Sequence, residues 1–505
     1  MSPITVSKET PTISPSDVPE IVFFLVSIFE SLGVTAYLVG GTIRDIIARK
    51  KISDIDIIVS ESAQEVACDI SSKLNGKMVI LNKDKDIARV IINRKGLETN
   101  LDISSCKGSI HSDLGERDFT IDAMCIPLLP SLSSIDSITV IDPSTGVHDL
   151  NRRIIRQVSN KSFVKDPARL MRAPRLASQL GFDIDRETAS TIQRESHMIH
   201  LVPAERVRDE LLKIVERPKI TNSIRNLDNL DLLTKIIPEF ENTKGITQPS
   251  EHHYWDVFNH SLETAGNIER VVVKSQSRPD FVSDAIAKLP SVDKHFSEIV
   301  CDGHTRLTML KIAGLLHDIA KPETKRSDSN GKVRFIGHDI QGAEKTSNIL
   351  ERLRLGNRGI QMASRMVRHH LRPTQMSSGT ELPSPRAVYR YYRDLKDVSL
   401  DTLFLNMADY LAAKGPNVTL NGWNDHFKII NHILQDDPVS QKQPKQILPL
   451  LDGHTIMDKF ALEPGPKIGT LLELVREYRA SGEIGTREEA LEFLETTLTS
   501  GGPRA

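Results

Sequence analysis

A chain of 505 residues has room for roughly three or four domains. Its formal net charge of −2 excludes a globally basic nucleic-acid binder but not a basic groove, because binding follows local charge. Four scattered cysteines (Cys68, Cys106, Cys125, Cys301) without a CxxC pair exclude a disulfide framework or a zinc ribbon and fit a reducing cytoplasm.

Residues 1–16 are rich in Pro, Ser and Thr; they are expected to be disordered, and no signal peptide is visible. The apolar run 21–29 is shorter than the roughly 20 residues that span a bilayer. It reads as the buried face of a helix opened by Ser16 or Asp17 as a cap. Over 17–150, strand patterns (36-AYLV-39, 55-IDIIV-59, 78-MVIL-81, 88-ARVII-92, 101-LDIS-104) alternate with helical ones, which makes an α+β head. Within it, Tyr37–Val39 reads as a strand, Gly40-Gly41 as a break, Thr42–Ala48 as a short helix, and the segment from Asp54 as a second strand.

Asp54 and Asp56 are two apart on that strand, so their carboxylates project to the same side. Paired carboxylates can hold Mg²⁺, and two such ions can clamp the attacking and leaving oxygens of a phosphoryl transfer. Glycines let a backbone approach phosphate oxygens closely. A bare DxD also fits a solvated turn. The glycine pair fourteen residues upstream of Asp54, and a third acid, Asp102, strengthen the reading. Three carboxylates on neighbouring strands repel one another unless a cation joins them.

The neck, 151–245, is helical by apolar spacing, with Pro174 expected to kink or end a helix over 166–180. Arg152, Arg153, Arg156, Lys161, Lys165, Arg169, Arg172 and Arg175 face only Asp166, a local charge of +7 suited to RNA. Residues 246–425 are helical and rich in histidine. His260, His317, Asp318 and Asp409 form an H…HD…D pattern, and His338, His369 and His370 add potential ligands for a divalent transition metal. The HD pair sits in the apolar run GLLHDIA, where charge is costly without a metal or hydrogen bonds. The set could hold two ions bridged by Asp318; His252, His253 and His304 are not expected to be ligands. Residues 272–300 and 376–385 read as loops, and 426–505 as a tail whose last part holds two or three helices.

LVGGTIRD, DIDIIV and ERDFTIDAM, followed by 142-DPSTGVHDLNRRIIR-156, 166-DPARLMRAPRLASQLGF-182 and 203-PAERVRDELLKI-214, resemble the class II tRNA nucleotidyltransferase and poly(A) polymerase family. The resemblance runs in order from about Val34 to Ile214. It implies that Gly40 and Gly41 meet the nucleotide triphosphate, with Arg44 and Asp45 in the same turn. Asp54 and Asp56 would bind Mg²⁺, with Asp102 as third carboxylate, and Arg117 and Asp118 would contact the ribose. Asp166 and Arg169 match the element that reads base edges; Arg172 lies one helical step on, and Arg206 matches a later neck motif. Lys165 stands where the family usually has Glu, and Asp122 where Asn is common.

The histidine set resembles the HD phosphohydrolase domain in its binuclear form, which implies metal-assisted hydrolysis of a phosphomonoester or cyclic phosphodiester. The segment 450–494 is similar to the helical C-terminus of HD-bearing members. The expected fold is α+β and multidomain: a nucleotidyltransferase-fold head with a mixed sheet, then an all-helical neck, HD domain and tail. The expected function is addition of C and/or A from CTP and ATP to a tRNA 3′ end, without a membrane partner. Poly(A) polymerase is the alternative, although the basic-aromatic signature of that branch is missing from 60–100. An inactive, RNA-binding head beside a working HD domain is another.

Overall fold

In the head, six runs rich in β-branched residues build one mixed sheet of order β4-β5-β6-β3-β2-β7. The strands are β2 (Ala36–Val39), β3 (Asp54–Val59), β4 (Lys77–Asn82), β5 (Ile87–Arg94), β6 (Leu97–Ser105) and β7 (Cys125–Pro127). They follow a short β1 (Thr12–Ile13) and precede β8 (Ile138–Thr139). β3 and β6 are parallel and central, and the other neighbours are antiparallel. Ile57, Ile58 and Val59 are buried in succession, as expected of a strand covered on both faces. This computed structural model describes residues 11–499 apart from 53, 95–96, 250, 252, 274–279, 331, 378–380 and 437–448. The readings of 1–10 and of His252, and parts of both expected loops, therefore lie outside the described residues.

The chain divides into two compact units. One holds residues up to Arg217 plus Asn226–Ile236; the other holds Pro218–Arg225 and everything from Ile237. In the first, the N-terminal segment departs from expectation. Thr12–Ile13 pairs antiparallel with Ile138–Thr139, and Ile13 is buried, so this part of the segment is ordered by a partner more than a hundred residues away. Helix α1 (Glu20–Leu32) buries Val22, Leu25, Val26, Ile28 and Phe29, as its apolar run implies. Its cap is not Ser16 or Asp17, which lie in a preceding 3-10 turn; Pro19 holds the cap position. The helix Arg169–Leu180 does not stop at Pro174 but runs through it. A proline inside a helix forfeits one backbone hydrogen bond; here the buried face Leu170, Met171, Ala173, Pro174, Leu176 and Ala177 offsets the loss.

In the second unit, Val257–Val272 packs against Arg306–Leu316 and Ser399–Lys414, and His338–Arg352 packs against Asn357–His369. The stretch 272–300 is not a plain loop. It holds helices Phe281–Ile286 and Asp293–Phe296, with Val282, Ile286 and Phe296 buried. Elements this short show no periodicity in a sequence window. Three tail helices, Gly453–Phe460, Pro466–Ala480 and Arg487–Thr499, share a core that includes Ile456, Leu471, Val475 and Leu494. Among the described residues, no helix is long and apolar enough to cross a membrane.

Candidate active site and candidate metal centre

The glycine turn between β2 and the short helix α2 (Gly41–Ile47) is forced by local geometry. Gly40 has φ 65° and ψ −131°, a conformation open essentially to glycine. A Cβ there would lie 2.5 Å from Arg117 Nη1 and 3.5 Å from Asp56 Oδ2; at Gly41 it would lie 3.6 Å from Asp56 Oδ2. The turn, Arg117 and Asp56 are therefore in mutual contact range. Thr42 ties them to the sheet: its Oγ1 donates to the Asp54 carbonyl at 3.3 Å and accepts from the Asp56 amide at 2.8 Å. Gly40→Ala is expected to cost about 1–3 kcal/mol through backbone strain alone. It should also displace Arg117, read as a lower denaturation midpoint together with a raised KM for nucleotide.

Parallel register sets Asp54 opposite Asn100 and Asp56 opposite Asp102. Asn100 Nδ2 donates to Asp54 Oδ1 at 3.0 Å. Burial pushes Asp56 up to about 6 against the pull of Arg117, and Asp102, Asp122 and Asp54 add to the rise. Such a deficit of positive charge among clustered acids is what a bound divalent cation supplies, so these residues fit one.

Arg44 is buried beside the turn, its Nη2 3.3 Å from where a Cβ at Gly41 would lie. It donates to Asp122 at 2.6 Å, and to both oxygens of Asp45 at 2.9 and 3.1 Å. Asp122, the departure from the usual Asn, thus has a partner. Asp102 is also engaged, by both Nε and Nη2 of Arg89, at 2.6 and 2.7 Å. Sequence reading missed Arg89 and Thr42, although the spacing GGT and the strand IARV contained both.

Downstream residues continue from the site. Arg172 Nε donates to Asp118 Oδ2 at 2.6 Å and, with Arg169, holds the carboxyl below its usual range despite its burial. Asp166 accepts from the Ala168 amide at 3.1 Å, and Arg206 Nη2 lies 3.7 Å from its other oxygen. Arg169 donates to the Glu116 carbonyl at 2.8 Å. The basic stripe is thinner than its charge count implies. Arg156 pairs with Asp149 and Asp185, Arg172 with Asp118, Arg175 with Glu210 and Lys165 with Glu116. Arg152, Arg153 and Lys161 are exposed.

In the second unit a separate cluster draws on five helices: His260 in Val257–Val272, His338 at the start of His338–Arg352, Asp409 in Ser399–Lys414, and His317, Asp318 and His370 just past the ends of Arg306–Leu316 and Asn357–His369. Asp318 Oδ2 lies 3.3 Å from His260 Nε2 and 3.2 Å from His317 Nε2. Its Oδ1 lies 3.4 Å from His338 Nε2 and 3.8 Å from His370 Nε2. Asp409 Oδ1 completes the first side, 3.0 Å from His260 and 3.6 Å from His317. The ring orientations share one device. The Nδ1 atoms of His317, His338 and His370 bond the carbonyls of Gly314, Phe335 and Val367 at 2.9, 2.6 and 2.7 Å. A carbonyl can only accept, so each Nδ1 donates, and each ring in its neutral form presents an Nε2 lone pair to the cluster.

Nε2 of His260, a residue whose Nδ1 is buried without a hydrogen-bond partner, and Nε2 of His317 face each other at 3.2 Å, which requires a proton or a cation between them. Nε2 of His338 and His370 and Asp318 Oδ1 are buried without a hydrogen-bond partner. Buried polar atoms are rarely left so, and nitrogen with carboxylate oxygen is a donor set for divalent transition metals. Two groups, His260–His317–Asp409 and His317–Asp318–His370, have the spacing of a metal site. Burial alone would lower His317, but Asp318 and Asp409 raise it to about 10.

His369 is not brought into the cluster. The charges acting on it are Arg372, Arg368, Asp394 and Arg365. Consecutive helical residues point about 100° apart, so only one of the pair can face Asp318. Sequence reading also missed Lys321, whose Nζ is 2.7 Å from Asp318 Oδ2 and 2.6 Å from Gln248 Oε1. Its position three residues after Asp318, across one turn of chain, was the available signal. His253 does not join the ligating groups; its ring meets that of His260 edge-on at 5.1 Å.

The family described as "Poly A polymerase head domain" matches residues 36–156, "Probable RNA and SrmB- binding site of polymerase A" matches 181–244, and "HD domain" matches 257–414. The chain belongs to the tRNA nucleotidyltransferase and poly(A) polymerase family, with an HD domain. Among relatives in that family, an A-adding tRNA nucleotidyltransferase of Deinococcus radiodurans is 29% identical over 91% of this chain and 95% of its own. A CC-adding tRNA nucleotidyltransferase of Thermus thermophilus is 27% identical over 91% and 93%. Among solved structures, the Thermotoga maritima CCA-adding enzyme complexed with tRNA_CCA superposes with a TM-score of 0.60 at 23% identity, over 96% of this chain and 99% of that one. A complex of CCA-adding enzyme with CTP gives 0.64 at 22% identity, over 96% and 99%. These likenesses share the α+β architecture of the family.

Proposed function

We propose that this protein adds C, A or both from CTP and ATP to the 3′ end of tRNA, releasing pyrophosphate, and that its HD domain is a metal-dependent phosphohydrolase. The observation that carries the first activity is Asp56 against the Gly40–Gly41 turn and Arg117, with Asp54 two residues before it on the same strand. The relatives' near full-length similarity supports it. On this reading 17–150 performs the transfer, 151–245 reads the base and the RNA, 246–425 hydrolyses phosphate esters, and 426–505 is a helical tail. The four cysteines are free, which suits the cytoplasm.

Asp54 and Asp56 would hold Mg²⁺, which when bound neutralises charge on the attacking 3′-oxygen and on the leaving pyrophosphate. The chain's own groups do the rest. The Gly40–Gly41 backbone admits the triphosphate, and Arg117 lies over the turn as its counter-charge. Asp118, steadied by Arg172, accepts from a ribose hydroxyl. Asp166, with Arg206 beside it, accepts from an exocyclic amine, while Arg169 donates to ring nitrogen and carbonyl. Arg152, Arg153 and Lys161 face solvent and can meet RNA phosphates. In the second unit a divalent transition metal would be held by His260, His317, Asp318 and Asp409, with His338 and His370 on the far side of Asp318. It would supply an activated water and a phosphate clamp. Lys321 would steady Asp318, and a phosphate at a damaged RNA end is a fitting substrate.

The test offers three tRNAs, lacking CCA, ending in C and ending in CC, with labelled CTP or ATP. Products one to three nucleotides longer support the reading and name the reaction as CCA, CC or A addition; a long A tract would replace it with poly(A) synthesis. Replacing Asp166 or Arg169 by alanine is expected to narrow the CTP-to-ATP preference by about tenfold, since one good bidentate pair is worth about 1–3 kcal/mol. Competition between the two labelled nucleotides checks this, and unchanged preference would count against base reading.

A further inference from the structure

Strand register sets one row of side chains across three neighbouring strands of the head. Asp56 on β3 is the partner of Asp102 on β6, and Asp102 is the partner of Arg89 on β5. Cross-strand partners stand on one face of a sheet, so Arg89 lies on the face that Asp56 presents to the Gly40–Gly41 turn. Adjacent strands are about 4.8 Å apart, which puts Arg89 roughly two strand spacings from Asp56.

Within this row Asp102 has both oxygens taken. Arg89 Nε donates to Oδ1 at 2.6 Å, and Nη2 to Oδ2 at 2.7 Å. Two parallel bonds from a planar fork are the strong and orientationally specific form of this ion pair. Each oxygen keeps a second lone pair, but a cation bound there would lie beside the guanidinium and be repelled by it. The pair is not sealed away: the side chains are 33% and 22% exposed. Nη1 of Arg89 enters none of these bonds. Asp54 and Asp56 also act electrostatically on this guanidinium. Once a cation neutralises those two acids, Arg89 keeps Asp102 as its counter-charge but loses the pull of Asp54 and Asp56, which a phosphate group can replace.

We propose that Arg89 binds a phosphate group at the nucleotide-transfer site, and that Asp102 orients Arg89 as a positioning residue instead of ligating metal. The proposal rests on the nucleotidyl-transfer reading of the head. The phosphate belongs either to the nucleotide triphosphate or to the RNA backbone, and one experiment separates them. It uses the full chain for kinetics with CTP, ATP and tRNA lacking CCA. Mn²⁺ binding is followed by electron paramagnetic resonance in a His317→Ala, Asp318→Ala background, which removes the second metal centre.

Arg89→Ala should raise a KM about tenfold or more, as expected for loss of a charged hydrogen bond, with Mn²⁺ affinity unchanged. A rise for nucleotide assigns the triphosphate, and a rise for tRNA assigns the RNA phosphate. Arg89→Lys should recover only part of the loss, because lysine lacks the fork. Asp102→Asn should keep Mn²⁺ affinity within about threefold, while Asp56→Asn loses about tenfold or more. Asp102→Asn weakening Mn²⁺ as much as Asp56→Asn, or Arg89→Ala leaving both KM values unchanged, overturns the proposal. If the unmodified chain incorporates nothing, the nucleotide reading falls and the phosphate role with it, while the Mn²⁺ comparison still judges Asp102.

Discussion

Asp56→Ala is expected to lower nucleotide incorporation into tRNA by about a thousandfold, equivalent to about 4 kcal/mol of transition-state stabilisation. Asp54→Ala should do the same. The size follows from position. Asp56 sits where β3 passes the Gly40–Gly41 turn, with Asp102 and Asp122 adding to a local excess of negative charge. Removing either acid leaves one carboxylate where a cation needs two. Folding should survive, because Asp54 is exposed and Asp56 only half-buried, so neither fills the core. Hydrolysis by the HD domain is the internal control and should be unchanged. Incorporation that persists in both variants would show that the cation site lies elsewhere.

The second large effect is the mirror of the first. His317→Ala combined with Asp318→Ala should abolish phosphohydrolase activity and bound transition metal together, and leave nucleotide incorporation within about twofold, since sites without shared partners act independently. Asp318 faces both histidine pairs, through different oxygens. Its loss removes ligands from both sides at once. It also leaves Lys321 buried near histidines without its acid, which for a broken buried pair costs about 3–5 kcal/mol. Metal content by mass spectrometry and a thermal melt therefore accompany the assay, and Asp318→Asn provides a version of similar volume. Undiminished hydrolysis with metal still bound would remove this cluster from the chemistry.

Legibility differed between the two centres. In the head, the DxD spacing and the glycine pair were readable because strand geometry is local: residues two apart share a face wherever the strand lies. The partners of those acids were not readable. Arg89 meets Asp102 only through the antiparallel register of β5 and β6, and Arg44 reaches Asp122 across 78 residues of chain while holding Asp45 beside it. In the second unit, the H…HD…D pattern pointed to the cluster, but the doublet His369-His370 carried two ligand-type residues of which helix geometry can turn only one inward. Proline punctuation misled at Pro174, where tertiary burial outweighed a lost hydrogen bond. Low periodicity misled over 272–300, where short helices are held by the core they join.

The amino-acid order by itself determined the elements and the reactive groups: which strands form, where glycine must turn, which carboxylates stand on one strand face, and which histidines are spaced to gather. These follow from backbone sterics and side-chain period, which act within a few residues. Tertiary structure alone decided the pairings: Asp56 beside Asp102, Asp102 gripped by Arg89, Arg172 on Asp118, and Asp318 between two pairs of histidines. Such contacts depend on sheet register and helix packing between segments well separated along the chain, as Arg172 is from Asp118 by 54 residues. Charge energy at those distances is set by the surroundings, so no local rule could assign it.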